Sequence, residues 1–286
     1  MGYAFDPYGV LRSAKGRQLP VYFAERKAKF LLSEWYVPEN FDGLILGPSS
    51  SANWNPTVIP GAHLYNESLL GANVAEEKLM MEQALRRGHY KLVLCVIYPT
   101  MTSKHEINGG LDTVTTSEAF ASIHAFVHEA GILLRSMQIS FGKEQAPFNG
   151  SVVIRDENQY GIGVLWADYF KQDPVAVTDY REMVQELRER GAEIVYVVPP
   201  LYEPCDALNA ERYAQYRQSI LEQLPAGPVI DFQTPEYRSF RDSKERFGDC
   251  YHLRASGAVQ MDEMLAKLVP EVATSYYGPK PGDLKR

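Results

Sequence analysis

A serine cluster, Ser49-Ser50-Ser51, follows directly on the apolar run FDGLILG and Pro48. A serine on a tight turn after a strand projects its hydroxyl above the sheet edge, and the backbone N–H groups that follow can face a developing oxyanion. Far along the chain stands Asp249-Cys250-Tyr251-His252. Histidine is suited to take a proton from a serine hydroxyl, and a carboxylate three residues earlier can select its tautomer and steady the imidazolium. Each feature alone is common, since serines after strands often only cap helices and Asp meets His in loops by chance. Together they point to acyl transfer, with Ser49 as nucleophile, His252 as general base and Asp249 orienting it.

The remaining histidines and glycines offer less. His124 and His128 lie four apart on a predicted helix but lack a third ligand, so no metal site is expected. His63, His89 and His105 have no partner visible in the sequence. Gly161-Ile162-Gly163 lacks a third glycine, and no phosphate loop of the G-x-x-x-x-G-K type occurs. No organic cofactor is implied. Trp54 is expected near the site because it follows Ser49 closely, whereas the other aromatics read as core or interface residues.

The elements that must position these residues alternate along the chain. Helix is expected around 24–33 and strand at roughly 41–47, with HLYNES as a second strand. Asn73 and Glu76 have the spacing of a capping box for a helix running to about Arg87. KLVLCVIYP, EIVYVVPP and PVIDF read as buried strands. Helices are expected at 117–136, from an Asp179/Glu182 capping pair to Gly191, at 210–224, and from about Ala255 onward. PFNGSVVIRDENQYGIG reads as a hairpin or inserted loop. This alternation predicts a three-layer α/β/α sandwich on a mostly parallel sheet. The expected unit is one domain over 1–286, with 1–40 an N-terminal extension and 101–177 an irregular insertion.

The 286 residues carry a formal net charge of −7 with the signs interspersed, and no Lys/Arg cluster suits a nucleic-acid partner. Three cysteines are too few for a disulfide framework. Cys95 reads as core, and one Cys205–Cys250 bridge is left open because compartment decides it. The longest apolar runs fall short of the roughly 20 residues that span a bilayer. No signal peptide is visible, which fits either a cytoplasmic protein or a sequence beginning after a membrane anchor.

The order of motifs resembles the SGNH (GDSL-like) hydrolase superfamily, whose blocks are G-D-S, a glycine after the second strand, an asparagine after the third, and D-x-x-H. Gly47-Pro48-Ser49 matches the first with proline for aspartate, Tyr65-Asn66 followed by Gly71 the second, and Asp249 with His252 the last. The likeness runs from about 41 to 268 and implies a flavodoxin-like sheet, with the N–H groups of Ser49 and Gly71 holding the oxyanion. At the third block the chain reads Tyr98-Pro99-Thr100, without asparagine. Thr100, Asn73 or backbone N–H groups are the alternatives there.

The opening DPYGVLR, the basic helix and LILGPSS also resemble a subgroup associated with exopolysaccharide and cell-wall O-acylation. That likeness implies a carbohydrate or glycopolymer substrate, a membrane-bound acyl-transfer partner and a place outside the cytoplasm. The competing function is a catalytically silent module that binds polysaccharide or an assembly partner. An α/β-hydrolase reading fits less well, because there the serine lies mid-chain and the acid and histidine occupy separate loops.

Overall fold

The computed structural model describes residues 25–55, 57, 59–108, 111, 149–151 and 166–278. The expected helix at 117–136 lies outside these residues. So do His124, His128, the Gly161–Gly163 pair and all of the expected hairpin except Asn149, Gly150 and Ser151.

The chain enters through α1 (Glu25–Asn40), then β1 (Gly43–Leu46) and β2 (Leu64–Asn66). Next come α2 (Val74–Leu85), β3 (Leu92–Val96) and the short α3 (Pro99–Thr102). The later part contains α4 (Pro174–Glu189), β4 (Glu193–Val198), α5 (Glu203–Gln223), β5 (Val229–Asp231), α6 (Arg238–Arg241) and α7 (Ala255–Tyr277). Among the described residues, five strands form one parallel sheet in the order β2-β1-β3-β4-β5. Every residue of β1, β2 and β3 is buried. Successive side chains point to opposite faces, so such strands need cover on both. Helices α1, α2, α4 and α5 pack against one another in series, and α7 lies over β4 and β5. Three right-handed crossovers in one direction put α2, α4 and α5 on the same face.

Most predicted elements fall where expected, with boundary changes that have local causes. Helix α1 runs past 33 because Val37, one turn beyond Ser33, is buried in the same core as Leu32. The expected N-terminal extension is therefore a core element from Glu25 onward. The capping box of α2 forms as the spacing requires: Asn73 Oδ1 accepts from the N–H of Ala75, and Glu76 accepts from the N–H of Asn73. The expected cap of α4 is corrected. Asp173 caps it, accepting from the N–H groups of Val175 and Ala176, with Pro174 in the first turn. Asp179 and Glu182 instead face α2, each 2.7 Å from Lys78 Nζ. Asp179 also lies 2.7 Å from His105 Nε2, a partner that sequence distance conceals.

The strand order reverses direction between β1 and β3. Crossovers leave these neighbours in opposite directions and open a crevice at their carboxyl ends. Ser49 follows β1 at that point, and Tyr98-Pro99-Thr100 follows β3. Helix α7 is tied to the same end of the sheet by buried Asp262, which accepts from the N–H of Asn55 at 2.8 Å.

Burial pushes the Asp262 carboxyl up to about 8 despite that N–H. A carboxyl raised in the folded state binds more protons than in the unfolded chain, so its contribution is full below about pH 4 and is lost as pH rises through 8. Thermal unfolding followed by circular dichroism is expected to show Tm falling from pH 5 to pH 8.5 by on the order of 5 °C. Asp262→Asn, which keeps an acceptor for Asn55, should flatten that slope. The remainder belongs to Glu67, whose carboxyl burial also pushes up to about 8, and to Glu77, whose carboxyl burial raises well above its ordinary value.

Candidate active site

The serine turn is built by close packing. Gly47 leaves β1 where a Cβ would collide with Ser51 Oγ and stand 2.7 Å from Val96 Cβ, so only glycine fits between β1 and β3. Pro48 is extended (φ −85°, ψ −169°), and Ser49–Ser51 then form one 3₁₀ turn. Ser51 N–H donates to Pro48 C=O at 3.0 Å and Ala52 N–H to Ser49 C=O at 3.2 Å. Ser51 Oγ also donates to Pro48 C=O at 2.9 Å, while Ser49 points out of the turn, half-buried.

The facing loop is closed as tightly. Phe247 and Leu253 form an antiparallel bridge, and Gly248 N–H donates to His252 C=O at 2.8 Å. Asp249 Oδ1 accepts from the N–H groups of Tyr251 (2.9 Å) and His252 (2.7 Å). Its other oxygen, Oδ2, lies 2.7 Å from His252 Nδ1. A carboxylate can only accept, so Nδ1 carries the proton and Nε2 is left as acceptor. Nε2 lies 2.8 Å from Ser49 Oγ, whose hydroxyl can donate to it. The result is an unbroken chain of hydrogen bonds, Ser49 to His252 to Asp249. Tyr251 packs its ring on the imidazole at 4.5 Å between centroids.

Two ties hold the loops in register. Asn53, buried beside the serine turn, donates to Leu253 C=O at 2.8 Å and so links the two loops directly. On the other side, Cys250 forms a disulfide with Cys205 in the first turn of α5, settling the pairing the sequence left open. Tyr202 N–H donates to Cys250 C=O at 3.0 Å beside it. That first turn is itself anchored by buried Arg241, which pairs with Asp206 at 2.5 Å and Glu203 at 2.8 Å.

Of the other expected site residues, two lie beyond the carboxyl ends of strands and two are claimed by the fold. Gly71 ends the turn after β2 at φ +70°, exposed to solvent. Thr100 stands half-buried in α3 directly after β3. Asn73 is corrected: it is fully buried, its Oδ1 caps α2, and its Nδ2 donates to Glu106 C=O at 2.7 Å, so its amide is committed to the fold. Trp54 is corrected as well. It is 0% exposed within the hydrophobic core and offers no face to a substrate.

Sequence reasoning gave no role to Asn53 or to the carboxamide of Asn66. The latter donates to the C=O groups of Ser51 and Trp54, each at 2.9 Å, and accepts from Ser68 N–H. An asparagine at the end of a strand is the one sequence signal for such a brace, and many asparagines share it. Among the described residues no group of three or more His, Cys, Asp or Glu could hold a metal ion.

No family model and no curated protein matches the sequence. Solved structures similar to the chain include a protein from Streptococcus pneumonia named as a platelet activating factor, at 12% identity and a TM-score of 0.48, covering 86% of this chain and 91% of that one. A protein from Enterococcus faecalis named as a lipase/acylhydrolase is similar at 9% identity and a TM-score of 0.40, over 83% and 98% of the two chains. One from Bacteroides fragilis, named as an acylhydrolase, is similar at 10% identity and a TM-score of 0.38, over 81% and 87%.

Proposed function

We propose that this chain is a serine acyl-transfer enzyme acting on ester-linked acyl groups, with acetyl on a carbohydrate or glycopolymer as the substrate class. The observation that carries the reading is the hydrogen-bonded chain from Ser49 Oγ through His252 to Asp249, both links under 3 Å. Such a chain prepares a hydroxyl for attack, because the base is within reach and its tautomer is set. The carbohydrate acceptor rests on the resemblance of the opening segment and of LILGPSS to polysaccharide O-acylation proteins.

In this mechanism Ser49 Oγ attacks the acyl carbonyl carbon while Nε2 of His252 takes its proton. The charge that develops on the carbonyl oxygen is held by the N–H groups of Ser49 and Gly71. Asp249 stabilises the imidazolium without itself taking the proton. The tetrahedral intermediate collapses, His252 returns the proton to the departing alcohol oxygen, and the acyl group remains on Ser49. Water or a sugar hydroxyl then attacks that ester, again deprotonated by His252. Water makes the chain an esterase and a sugar hydroxyl makes it an O-acyltransferase.

Hydrolysis of 4-nitrophenyl acetate by purified wild type and by Ser49→Ala tests the reading. The expected loss is about 10³-fold or more in kcat with the circular dichroism unchanged, and Asp249→Asn should lose about 10²–10⁴-fold. Equal turnover by wild type and Ser49→Ala would sink it. With substituted sugars present, mass spectrometry of the products then separates transfer from hydrolysis.

The disulfide yields a second expectation, because it holds the residue between Asp249 and Tyr251. Thiol titration of the denatured oxidised protein should find one free thiol, Cys95. Reduction, or Cys205→Ser with Cys250→Ser, should lower kcat about tenfold or more as the acid–base loop loosens.

A further inference from the structure

The turn that carries Gly71 is gripped from behind by a helix that precedes the whole sheet. Glu25, Lys29 and Ser33 recur every fourth residue along α1 and so share one stripe, with Arg26 beside it. Lys29 Nζ donates to Ser68 C=O at 2.6 Å, Leu70 N–H donates to Glu25 at 3.3 Å, and Arg26 donates to Leu70 C=O at 2.5 Å. Arg26 also pairs with Glu76 at 2.8 Å. Three backbone groups of one turn are thus held by three charged side chains of one helix. Lys29 is 0% exposed, an expensive place for an ammonium unless partners hold it.

The same turn is fastened to the serine turn on its other side. Leu69 N–H donates to Gly47 C=O at 3.0 Å, and the hydroxyls of Ser68 and Ser51 lie 2.8 Å apart. Behind both, Glu67 is fully buried 2.5 Å from Ser33 Oγ, and Ser33 Oγ also lies 2.7 Å from Lys29 C=O. A single serine proton cannot serve both acceptors. The contacts close if Glu67 is protonated and donates to Ser33, which then donates to the Lys29 carbonyl. Burial drives the Glu67 carboxyl in that direction. Residues 47–51, 66–71 and α1 therefore form one braced unit.

We propose that Arg26 and Lys29 are positioning residues for acyl transfer. By clamping the Ser68–Leu70 backbone they hold the Gly71 N–H where it meets the oxyanion, which makes α1 part of the catalytic apparatus. This rests on the acyl-transfer reading above. A donor aimed at the oxyanion acts on the transition state more than on the ground state, so losing its aim should appear in kcat rather than KM.

The test measures kcat and KM for 4-nitrophenyl acetate in Arg26→Gln, Lys29→Met and Arg26→Lys, with Ser49→Ala alongside. Arg26→Gln and Lys29→Met are expected to lose about 10–10²-fold in kcat with KM within about twofold. Arg26→Lys, which can still reach Leu70 C=O, should recover most of that loss. Hydrogen–deuterium exchange should quicken over residues 68–72 in the two weakened variants. Arg26 is partly exposed, so its substitution keeps the test sound if Lys29→Met does not fold. Wild-type kcat in folded Arg26→Gln, or a raised KM at unchanged kcat, would overturn the clamp while an inactive Ser49→Ala leaves the acyl-transfer reading standing. Should Ser49→Ala match wild type, the acyl-transfer reading falls, and the clamp's catalytic role with it.

Discussion

The hydrogen bond between Ser49 Oγ and His252 Nε2 joins residues 203 positions apart in the chain, and the sheet supplies the rigidity on which it depends. The serine turn starts at the carboxyl end of β1, a strand buried along its whole length, and the histidine loop follows β5 by way of α6. A one-residue slip of β1 against β3 would move Gly47 off Val96 and turn the serine away from the crevice. The tolerance is small because Gly47 already sits where no side chain fits. Packing of this kind has few intermediate arrangements, so the serine turn is either seated or displaced.

Around that contact the chain adds ties that each connect two elements rather than stabilise one. Asn53 bridges the serine turn to the histidine loop, Asp262 fastens α7 to the serine side, and the disulfide joins the histidine loop to α5. On the far side, α1 and the turn after β2 are held by buried charge. Buried ionic and polar groups contribute modestly to stability but cost much when one partner is lost. That asymmetry suits a region whose geometry matters more than its free energy. It also accounts for the number of polar side chains buried near the site, Lys29, Asn66, Glu67, Ser68 and Glu77 among them.

The proline at position 48 and the missing asparagine after β3 are departures from the pattern the chain resembles, and they bear on different atoms. Pro48 takes an extended conformation that delivers the chain into the Ser49–Ser51 turn, and no hydrogen bond of the serine turn needs its missing N–H. In the proposed reaction, the absent asparagine leaves the oxyanion to backbone N–H groups rather than to a side-chain donor from that block. A site built on backbone donors depends on how firmly those backbones are held. The clamped turn at 68–71 answers that need in physical terms.

Much of this protein was determined by the sequence alone, wherever the cause is local. Apolar runs bounded by Gly and Pro marked the strands, Asn73 and Glu76 marked the start of α2, and the order of Ser49, Asp249 and His252 marked three residues able to act together. Strand alternation with helices led to the parallel sandwich because two-sided burial admits few other layouts. Tertiary structure alone decided the rest. Trp54 and Asn73 lie close to Ser49 and Gly71 in sequence, but a core position and a helix cap claimed them. Cys205 and Cys250 became partners only when α5 met the histidine loop, and Asn53 became a bridge only when Leu253 came within 2.8 Å. Nothing in the spacing of Arg26 and Lys29 marks the backbone of Ser68 and Leu70, about forty residues on, as their partner. Residue type and spacing fix what a side chain can do, whereas its partner depends on which distant backbone the fold brings within hydrogen-bond reach.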